Sequence, residues 1–349
     1  MLPVGGGSTA RAATGAGRER PRRQVCYRCH MILTVTLNPA IDVTYYLDTL
    51  VRNSGLRVDR VLERAGGKGV NVARVAAACG ADVCATGLAG GWRGEQLRAG
   101  LGIRDEFCSI EGETRQTVNI VETGRTGLPT ELREPGPAVT AAEWDRFTDR
   151  FSALAAGADV VTMSGSLPPG VPAGAYATLT AVTRSVSTAR VIVDTGGEAL
   201  RLACAAGPDL VKPNEGELLA ATSTEGGRLH RVLSGASSLR ELGASAVVVS
   251  LGRSGSVAVT PDGRWRVSHD AVTGGNPVGA GDALVAGLAL DADLPAGPGL
   301  PAGAGSDWPG ALKRASGLAM ASVLAASAGE VDPAIAERCA GTIRIRKLT

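Results

Sequence analysis

The sequence predicts an α/β fold, with a mainly parallel central sheet covered by helices on both faces. Short apolar runs alternate with helical stretches along most of the chain, which is typical of strand–helix–strand units. Polar or glycine-rich motifs directly follow several predicted strands, where ligands bind in open α/β sheets. Hydrophobic residues make up 44% of the 349 residues and aromatic residues only 3%, so we expect a large core of Ala, Val and Leu.

The folded region is expected to begin at Met31 and to run to the end of the chain. Residues 1–30 are rich in Gly, Ala and Arg without apolar periodicity, which predicts a disordered extension. Beyond it, strands are expected at 32–37, 83–87, 160–164, 191–194, 210–212 and 246–251. Helices are expected at 70–79, 95–99, 141–156, 173–185, 216–221, 236–242 and 283–290.

Two stretches interrupt this alternation. Residues 42–63 and 114–133 carry short β-like segments with polar residues interspersed, which predicts a small sheet that projects from the body as a lid. Such a lid could exclude water from a site beneath it. The residues 291–310 are rich in Pro, Gly and Ala and are expected to form a surface loop.

Composition and charge argue against several classes of protein. The net charge is +2 and no basic run is interleaved with aromatic residues beyond residue 30, so a nucleic-acid partner is not expected. No apolar segment is long enough to span a bilayer. Seven irregularly spaced cysteines are typical of a reduced intracellular protein, and we expect a cytoplasmic setting. Cys26, Cys29 and His30 match the spacing of c-type haem attachment, but the Gly/Arg-rich segment around them shows no signal-peptide pattern, so we interpret the match as chance.

The segment 276–283 reads Asn-Pro-Val-Gly-Ala-Gly-Asp-Ala and leads into a run of small apolar residues. This pattern predicts a turn that feeds the first turn of a helix, whose free N–H groups and partial positive charge can hold an anion. The glycines would let a phosphate approach the backbone closely. Asp282 would then lie beside the anion, placed to take a proton from an attacking hydroxyl. The alternative is a glycine turn with an aspartate cap.

A second glycine cluster, Gly-Gly-Lys-Gly-Val-Asn at 66–71, opens the first long helix. Lys68 supplies a mobile positive charge, and Asn71 can both donate and accept hydrogen bonds. This mixture suits a polyhydroxylated ligand, although a helix start with a surface lysine would look the same. Asp42 could bind two neighbouring sugar hydroxyls, or it could be an ordinary turn aspartate.

Other catalytic patterns are poorly supported. The chain has three histidines, His30, His230 and His269, so a histidine triad or a histidine zinc site is not expected. Lys68 is followed by Gly69 rather than Ser or Thr, which excludes a Walker A loop, and no glycine cluster matches G-x-G-x-x-G. Neither a P-loop NTPase nor a dehydrogenase is indicated.

Seven motifs, in order, resemble the PfkB carbohydrate kinases of the ribokinase-like superfamily, and most closely the 1-phosphofructokinase and tagatose-6-phosphate kinase branch. They occupy residues 36–42, 65–74, 112–115, 164–170, 212–218, 250–252 and 279–282. The resemblance implies a three-layer α/β/α sandwich with a mainly parallel sheet and a small β-sheet lid. It also implies transfer of a phosphoryl group from ATP to a sugar phosphate.

The resemblance gives roles to particular residues. Asp282 is implied as the base, and the backbone N–H groups of Gly279, Ala280 and Gly281 as the groups that stabilise the transferring phosphoryl. Asn214 and Glu217 match the element that holds Mg²⁺, largely through water. The implied acceptor contacts are Asp42, Gly66, Gly67, Lys68, Asn71 and Arg115, with Lys68 or Arg115 as the partner of its phosphate. The implied ATP contacts are Lys212, Asn214, Glu217, Ser250, Gly252 and Gly255.

Departures from the family pattern bear on the acceptor. Thr117 and Asn119 stand where fructose-phosphate kinases usually carry Asn and often Lys, which would weaken or relocate the contact to the acceptor's phosphate. Pro277 stands where Thr is commoner, an arrangement more like the tagatose-phosphate kinases. We expect fructose 1-phosphate as the acceptor, with tagatose 6-phosphate or fructose 6-phosphate as alternatives. A non-catalytic sugar-phosphate sensor is the alternative of a different class, and a homodimer through the lid is a further expectation.

Overall fold

A computed structural model describes residues 31–123, 129–270, 275–291, 294, 307–325 and 327–349. The expected extension at 1–30, with Cys26, Cys29 and His30, lies outside the described residues, and so does most of the expected loop at 291–310. The end of that expected loop is helical, because a helix begins at Trp308.

Strands and helices alternate through the described residues. The strands are β1 (Met31–Thr36), β2 (Ala40–Leu47), β3 (Arg60–Gly66), β4 (Asp82–Gly90), β5 (Arg104–Ile110), β6 (Arg115–Glu122), β7 (Thr130–Arg133), β8 (Val160–Ser164), β9 (Arg190–Asp194), β10 (Leu210–Val211), β11 (Ala246–Ser250), β12 (Ser256–Thr260), β13 (Gly263–Ser268) and β14 (Arg344–Leu348). The helices are α1 (Lys68–Ala78), α2 (Gly91–Ala99), α3 (Ala141–Ala155), α4 (Ala175–Val186), α5 (Gly197–Ala205), α6 (Glu215–Ala221), α7 (Arg228–Glu241), α8 (Ala280–Leu290), α9 (Trp308–Leu324) and α10 (Pro333–Thr342). Within this part of the chain, no helix combines the length and the apolar character that a membrane crossing needs.

The larger sheet has ten strands in the order β14-β13-β12-β11-β10-β9-β8-β1-β4-β5. Neighbours from β11 through to β5 are parallel, and β12, β13 and β14 add an antiparallel edge. Because parallel strands end on the same side, the polar motifs that follow β1, β8, β9 and β10 meet at one edge of the sheet.

Helices cover both faces of this sheet. Side chains alternate along β1, so that Ile32 belongs to one apolar core and Leu33 to the other. The first core contains the buried faces of α1, α8 and α9, and the second contains those of α3, α4 and α5. The three-layer α/β/α sandwich with a mainly parallel sheet is therefore confirmed.

A second sheet, which we call the lid, consists of β3, β2, β6 and β7 in that order. Strands β2 and β6 pair in parallel and the other neighbours are antiparallel. Asp42 lies inside β2 rather than at a turn, and the register places it beside Thr117 of β6, which in turn lies beside Arg133 of β7. The small sheet expected from residues 42–63 and 114–133 is thus present.

The sequence pattern missed several elements and shortened others. Helix α7 begins at Arg228, eight residues before its expected start, because its first turns carry Arg and His side chains that hide the apolar periodicity. Helices α5, α9 and α10 and strands β5, β12, β13 and β14 were not predicted. Small residues dominate α9, so it shows little contrast between its faces.

Candidate active site

A cavity of about 860 Å³ lies between the carboxyl ends of the central strands, the N-terminus of α8 and the lid. All of the predicted site residues except Gly66 line it. Gly66 ends β3 directly behind Asp42, and a Cβ atom at Gly66 would lie 2.1 Å from the Asp42 Oδ2 atom. The glycine at this position therefore makes room for the carboxylate that faces the cavity.

Asp282 lies in the first turn of α8 and is 7% exposed. The Asn71 Nδ2 atom, from α1, donates a hydrogen bond of 2.8 Å to Asp282 Oδ2, which fixes the carboxylate toward the cavity. Burial raises the pKa of Asp282 to about 7, and the negative charge of Asp194 adds to the rise. The positive charges of Lys68 and Lys212 oppose it. A carboxyl group with a pKa near neutrality can accept a proton and release it again.

The turn before α8 leaves room for a ligand to approach the backbone closely. Gly279 has φ +86°, a left-handed conformation that favours glycine, and a Cβ atom there would lie 2.9 Å from the Ala328 Cβ atom. The Pro277 carbonyl accepts a hydrogen bond of 3.2 Å from the Ala280 N–H. N–H groups in the first turn of a helix have no intrahelical acceptor and carry the positive end of the helix dipole. This turn can therefore receive a phosphoryl group beside Asp282.

Asp194 ends β9 and pairs with two lysines. Its Oδ1 atom lies 3.3 Å from the Nζ atoms of both Lys68 and Lys212. Asp194 is 1% exposed, and within the described residues its Oδ2 atom has no hydrogen-bond partner. Burial disfavours the charged form of Lys68, but the negative charges of Asp194 and Glu217 outweigh it, so the pKa of Lys68 rises. Lys68 therefore stays charged.

Asn214 and Glu217 form a capping box at the start of α6. The Asn214 Oδ1 atom accepts the Glu217 N–H at 2.8 Å, and the Glu217 Oε2 atom accepts the Asn214 N–H at 2.8 Å. The remaining carboxylate oxygen of Glu217 lies 3.1 Å from Lys68 Nζ. The motif thus caps a helix and, through Lys68, connects α6 to α1 across the cavity.

Asp42 and Arg115 face the cavity from the lid. Burial raises the pKa of Asp42 to about 6, although the charge of Arg115 opposes the rise. Arg115 donates to the Asn38 carbonyl at 3.3 and 3.2 Å and to the Glu134 carbonyl at 3.1 Å, so its guanidinium group is held in place. Gly67 completes this end of the cavity with φ +110°.

The opposite end of the cavity lies beyond β10 and β11. Ser250 forms a parallel bridge with Asn214. A short 3-10 turn begins at Gly252, with φ +58°, and is followed by Gly255, with φ +81°. A Cβ atom at Gly255 would lie 2.2 Å from the Val267 carbonyl oxygen, so only glycine fits. Apolar side chains of α9, with Met320 among them, form the facing wall. A glycine-rich turn against an apolar wall can accept a flat ring.

Several residues of the cavity were given no role from the sequence, and Asp194, Ser166 and Arg133 are the ones that bear on the chemistry. Asp194 was passed over, although it ends a predicted strand and the rule for strand ends could have identified it. Ser166 accepts a hydrogen bond of 3.2 Å from Asn38 Nδ2, and both line the cavity. Arg133 reaches the cavity from the last strand of the lid, and no sequence motif marked it.

This fold and this site define a phosphotransferase that acts on an alcohol group of a sugar. A family model for pfkB family carbohydrate kinases matches residues 35–335, and the chain belongs to that family.

Solved structures agree with this class. Phosphofructokinase-2 from Escherichia coli, in complex with fructose 6-phosphate, is 27% identical, with 89% of this chain and 98% of that chain covered and a TM-score of 0.78. A protein described as a possible 1-phosphofructokinase from Thermotoga maritima is 26% identical, with 92% and 100% covered and a TM-score of 0.77. Arabidopsis thaliana ribokinase, complexed with ribose and ATP, is 18% identical over 90% of this chain and 99% of that chain with a TM-score of 0.69, a likeness of fold alone.

Proposed function

We propose that this kinase transfers the γ-phosphoryl group of ATP to fructose 1-phosphate and yields ADP and fructose 1,6-bisphosphate. The observation that carries the proposal is the buried Asp282 carboxylate, with a pKa raised to about 7, at the glycine-led start of α8. It faces a cavity that also contains several positively charged side chains. Likeness to phosphofructokinases supports a phosphorylated fructose as the acceptor.

Asp282 acts as the general base. It accepts the proton of the acceptor's free hydroxyl while that oxygen attacks the γ-phosphorus and the bond from the γ-phosphorus to the bridging oxygen of ADP breaks. Asn71 holds the carboxylate in position from 2.8 Å. The N–H groups of Gly279 and Gly281 stabilise the charge on the transferring group, and the Ala280 N–H, which donates to the Pro277 carbonyl at 3.2 Å, contributes by sharing or giving up that bond.

The acceptor and the nucleotide occupy opposite ends of the cavity in this proposal. Asp42, with Gly66 and Gly67 behind it, binds sugar hydroxyls, since its carboxylate projects from the lid into the cavity. ATP lies against Lys212, Asn214, Ser250, Gly252 and Gly255. Lys212 then sits near the transferring phosphate, because an added Cβ at Gly281 would lie 3.4 Å from Lys212 Nζ.

The residues present fit Mg²⁺ as the cofactor. Asn214 and Glu217 offer oxygen ligands, and the Glu217 side chain is 23% exposed, so water can reach it. Among the residues that the structure describes, no group of three or more His, Cys, Asp or Glu side chains is placed to hold a metal. Mg²⁺ that is held mainly by water and nucleotide phosphates needs only one or two protein oxygens. When bound, it would neutralise phosphate charge.

The acceptor is tested with the purified full-length chain, ATP and Mg²⁺, and a panel of fructose 1-phosphate, tagatose 6-phosphate, fructose 6-phosphate, fructose and ribose. The expected result is the highest kcat/KM for fructose 1-phosphate, measured by ADP release. A preference for tagatose 6-phosphate or fructose 6-phosphate would keep the mechanism and change the substrate. Binding of a phosphosugar in calorimetry, without turnover of any compound in the panel, would instead favour the non-catalytic sensor.

We also propose that the kinase forms a homodimer through the lid. Val51, Val58, Val61 and Leu132 of the lid region are exposed, and Val61 and Leu132 are 51% and 55% exposed. Pairing of two lids would cover them. Sedimentation equilibrium is expected to give a dimer, and Val61→Asp is expected to shift it to monomer. A wild-type monomer at all accessible concentrations would refute this assembly.

A further inference from the structure

Within the described residues, the lysine and arginine side chains that line the cavity are Lys68, Arg115, Arg133, Lys212 and Arg253. They are not equally available to a ligand. Lys68 and Lys212 are both paired with the buried Asp194 carboxylate. Arg253 lies in the 3-10 turn at the nucleotide end. The two guanidinium groups of the lid, on Arg115 and Arg133, remain available to bind the phosphate that the acceptor already carries.

The register of the lid aligns Arg133 with the sugar end of the cavity. Asp42, Thr117 and Arg133 are direct neighbours across β2, β6 and β7, so their side chains project from the same face. With strands roughly 4.8 Å apart, Arg133 stands about 10 Å from Asp42 along this row. That spacing suits a sugar whose hydroxyls contact Asp42 and whose phosphate lies farther out.

Arg115 and Arg133 differ in how firmly they are held. Arg115 is fixed by hydrogen bonds to the carbonyl groups of Asn38 and Glu134. Arg133 pairs with Glu131, two residues away on the same strand, and the Arg133 side chain is 68% exposed. Exposed ion pairs of this kind contribute little to stability. A dianion can therefore replace Glu131 as the partner of Arg133.

The two guanidinium groups also act on each other. Burial lowers the pKa of Arg115, and the charge of Arg133 lowers it further, although Asp42 opposes both. The repulsion between two like charges that face one cavity decreases when an anion binds between them. A phosphate offers several oxygen acceptors, which matches the fork of a guanidinium group.

We infer that Arg133, with Arg115 beside it, binds the phosphate that the acceptor already carries, and that Arg133 thereby selects phosphosugars over free sugars. The inference rests on the proposed kinase function and deepens it. Lys68 then keeps its ion pairs with Asp194 and Glu217.

The test compares Arg133→Met with the wild type in the full-length chain. We expect KM for the preferred phosphosugar to rise about 10- to 100-fold, because charge-assisted hydrogen bonds to the phosphate are lost. We expect kcat to change by less than about threefold, because Asp282 and the turn before α8 are untouched. KM for fructose, measured as a substrate or as a competitive inhibitor, is expected to stay unchanged. Arg133→Lys should recover part of the loss.

Arg60→Met is the matched control. Arg60 is also an arginine of the lid, but it lies over the Tyr46 ring at 5.2 Å and does not line the cavity. This variant is expected to leave both KM values unchanged. An unchanged phosphosugar KM in Arg133→Met would overturn the inference, and so would an equal rise for fructose, which would indicate a structural role.

The phosphate contact of Arg133 can be tested even if the chain is not a kinase. If the wild type turns over no phosphosugar, the same variants are compared by calorimetric titration with fructose 1-phosphate, tagatose 6-phosphate and fructose 6-phosphate. Weaker binding to Arg133→Met alone would still support the phosphate contact. Binding equal to that of the wild type, or the absence of binding by either protein, would overturn it.

Discussion

Replacement of Asp282 by Asn is expected to remove turnover and, at the same time, to stabilise the fold. The two effects share one cause. Asp282 is 7% exposed and lies near Asp194, so its ionised form is disfavoured in the folded state. Asn carries no charge, has almost the same shape and can still accept a hydrogen bond from Asn71. The substitution thus removes the cost of the buried charge together with the base.

The gain in stability follows from the pKa of Asp282, which rises from 3.8 to about 7 on folding. A raised pKa means that folding is most favourable while the group is protonated, so stability is lost as the pH rises from the unfolded-state pKa of 3.8 to the folded-state pKa of about 7. Relative to wild type, the free energy of unfolding of Asp282→Asn should grow by about 1.4 kcal/mol per pH unit between about pH 4 and 7. Above about pH 7 the difference should level off, at an upper limit of about 4 kcal/mol.

The loss in activity is expected to be about 10²- to 10⁴-fold in kcat, the usual contribution of a general base. KM should change little, because the carboxamide keeps its place beside Asn71. In the wild type, kcat/KM should fall about tenfold per pH unit below about pH 7, as Asp282 becomes protonated. Asp282→Asn should lack this acidic limb in whatever turnover remains.

Urea denaturation at several pH values between 5.5 and 8.5, analysed by linear extrapolation, measures the stability difference, and ADP release measures turnover. Asp145→Asn is the control, since Asp145 lies on the exposed face of α3 and should alter neither quantity. A stability difference that does not grow with pH would refute the raised pKa. Turnover within tenfold of wild type would refute Asp282 as the base.

Two further predictions concern the supports of the site. Lys68→Met should move the acidic limb of the wild-type pH profile to higher pH, because the positive charge of Lys68 lowers the pKa of Asp282, the proposed base. Lys313→Met, outside the cavity, should not move it. Arg190 is 5% exposed, and its guanidinium group donates to four carbonyl groups at and just beyond the end of α8. Arg190→Met should therefore lower the free energy of unfolding by about 3 kcal/mol or more, measured with urea, while Arg201→Met on the exposed face of α5 should not.

Much of the site could be predicted because it is built from local motifs at the ends of strands. The glycine turn before α8 and the cluster before α1 are each contiguous in the sequence, and a parallel sheet brings such segments to one edge. The apolar runs that form the strands of the sheet are also short, contiguous stretches of sequence. Helix α9 was missed because its small residues carry too little contrast between faces for a period to be read.

Contacts between distant residues were beyond this reasoning. Lys68 is 126 residues from Asp194 and 149 from Glu217 in the sequence, and no spacing rule joins them. That Lys68 and Lys212 would both pair with one buried acid therefore could not be predicted. The expectation that Lys68 or Arg115 binds the acceptor's phosphate rested on the family resemblance and on their positive charge.

The position of Arg133 in the cavity could not be predicted from the sequence either. Its place in the cavity depends on the pairing of β7 with β6, where Thr117 lies opposite Arg133. A slip of one residue would bring Leu132 opposite Thr117 and turn Arg133 to the other face. Burial would normally forbid that slip, but Leu132 is 55% exposed, so the apolar pattern of β7 does not fix its own register. Selection between a phosphosugar and a free sugar is therefore decided by a strand pairing that the sequence pattern leaves open.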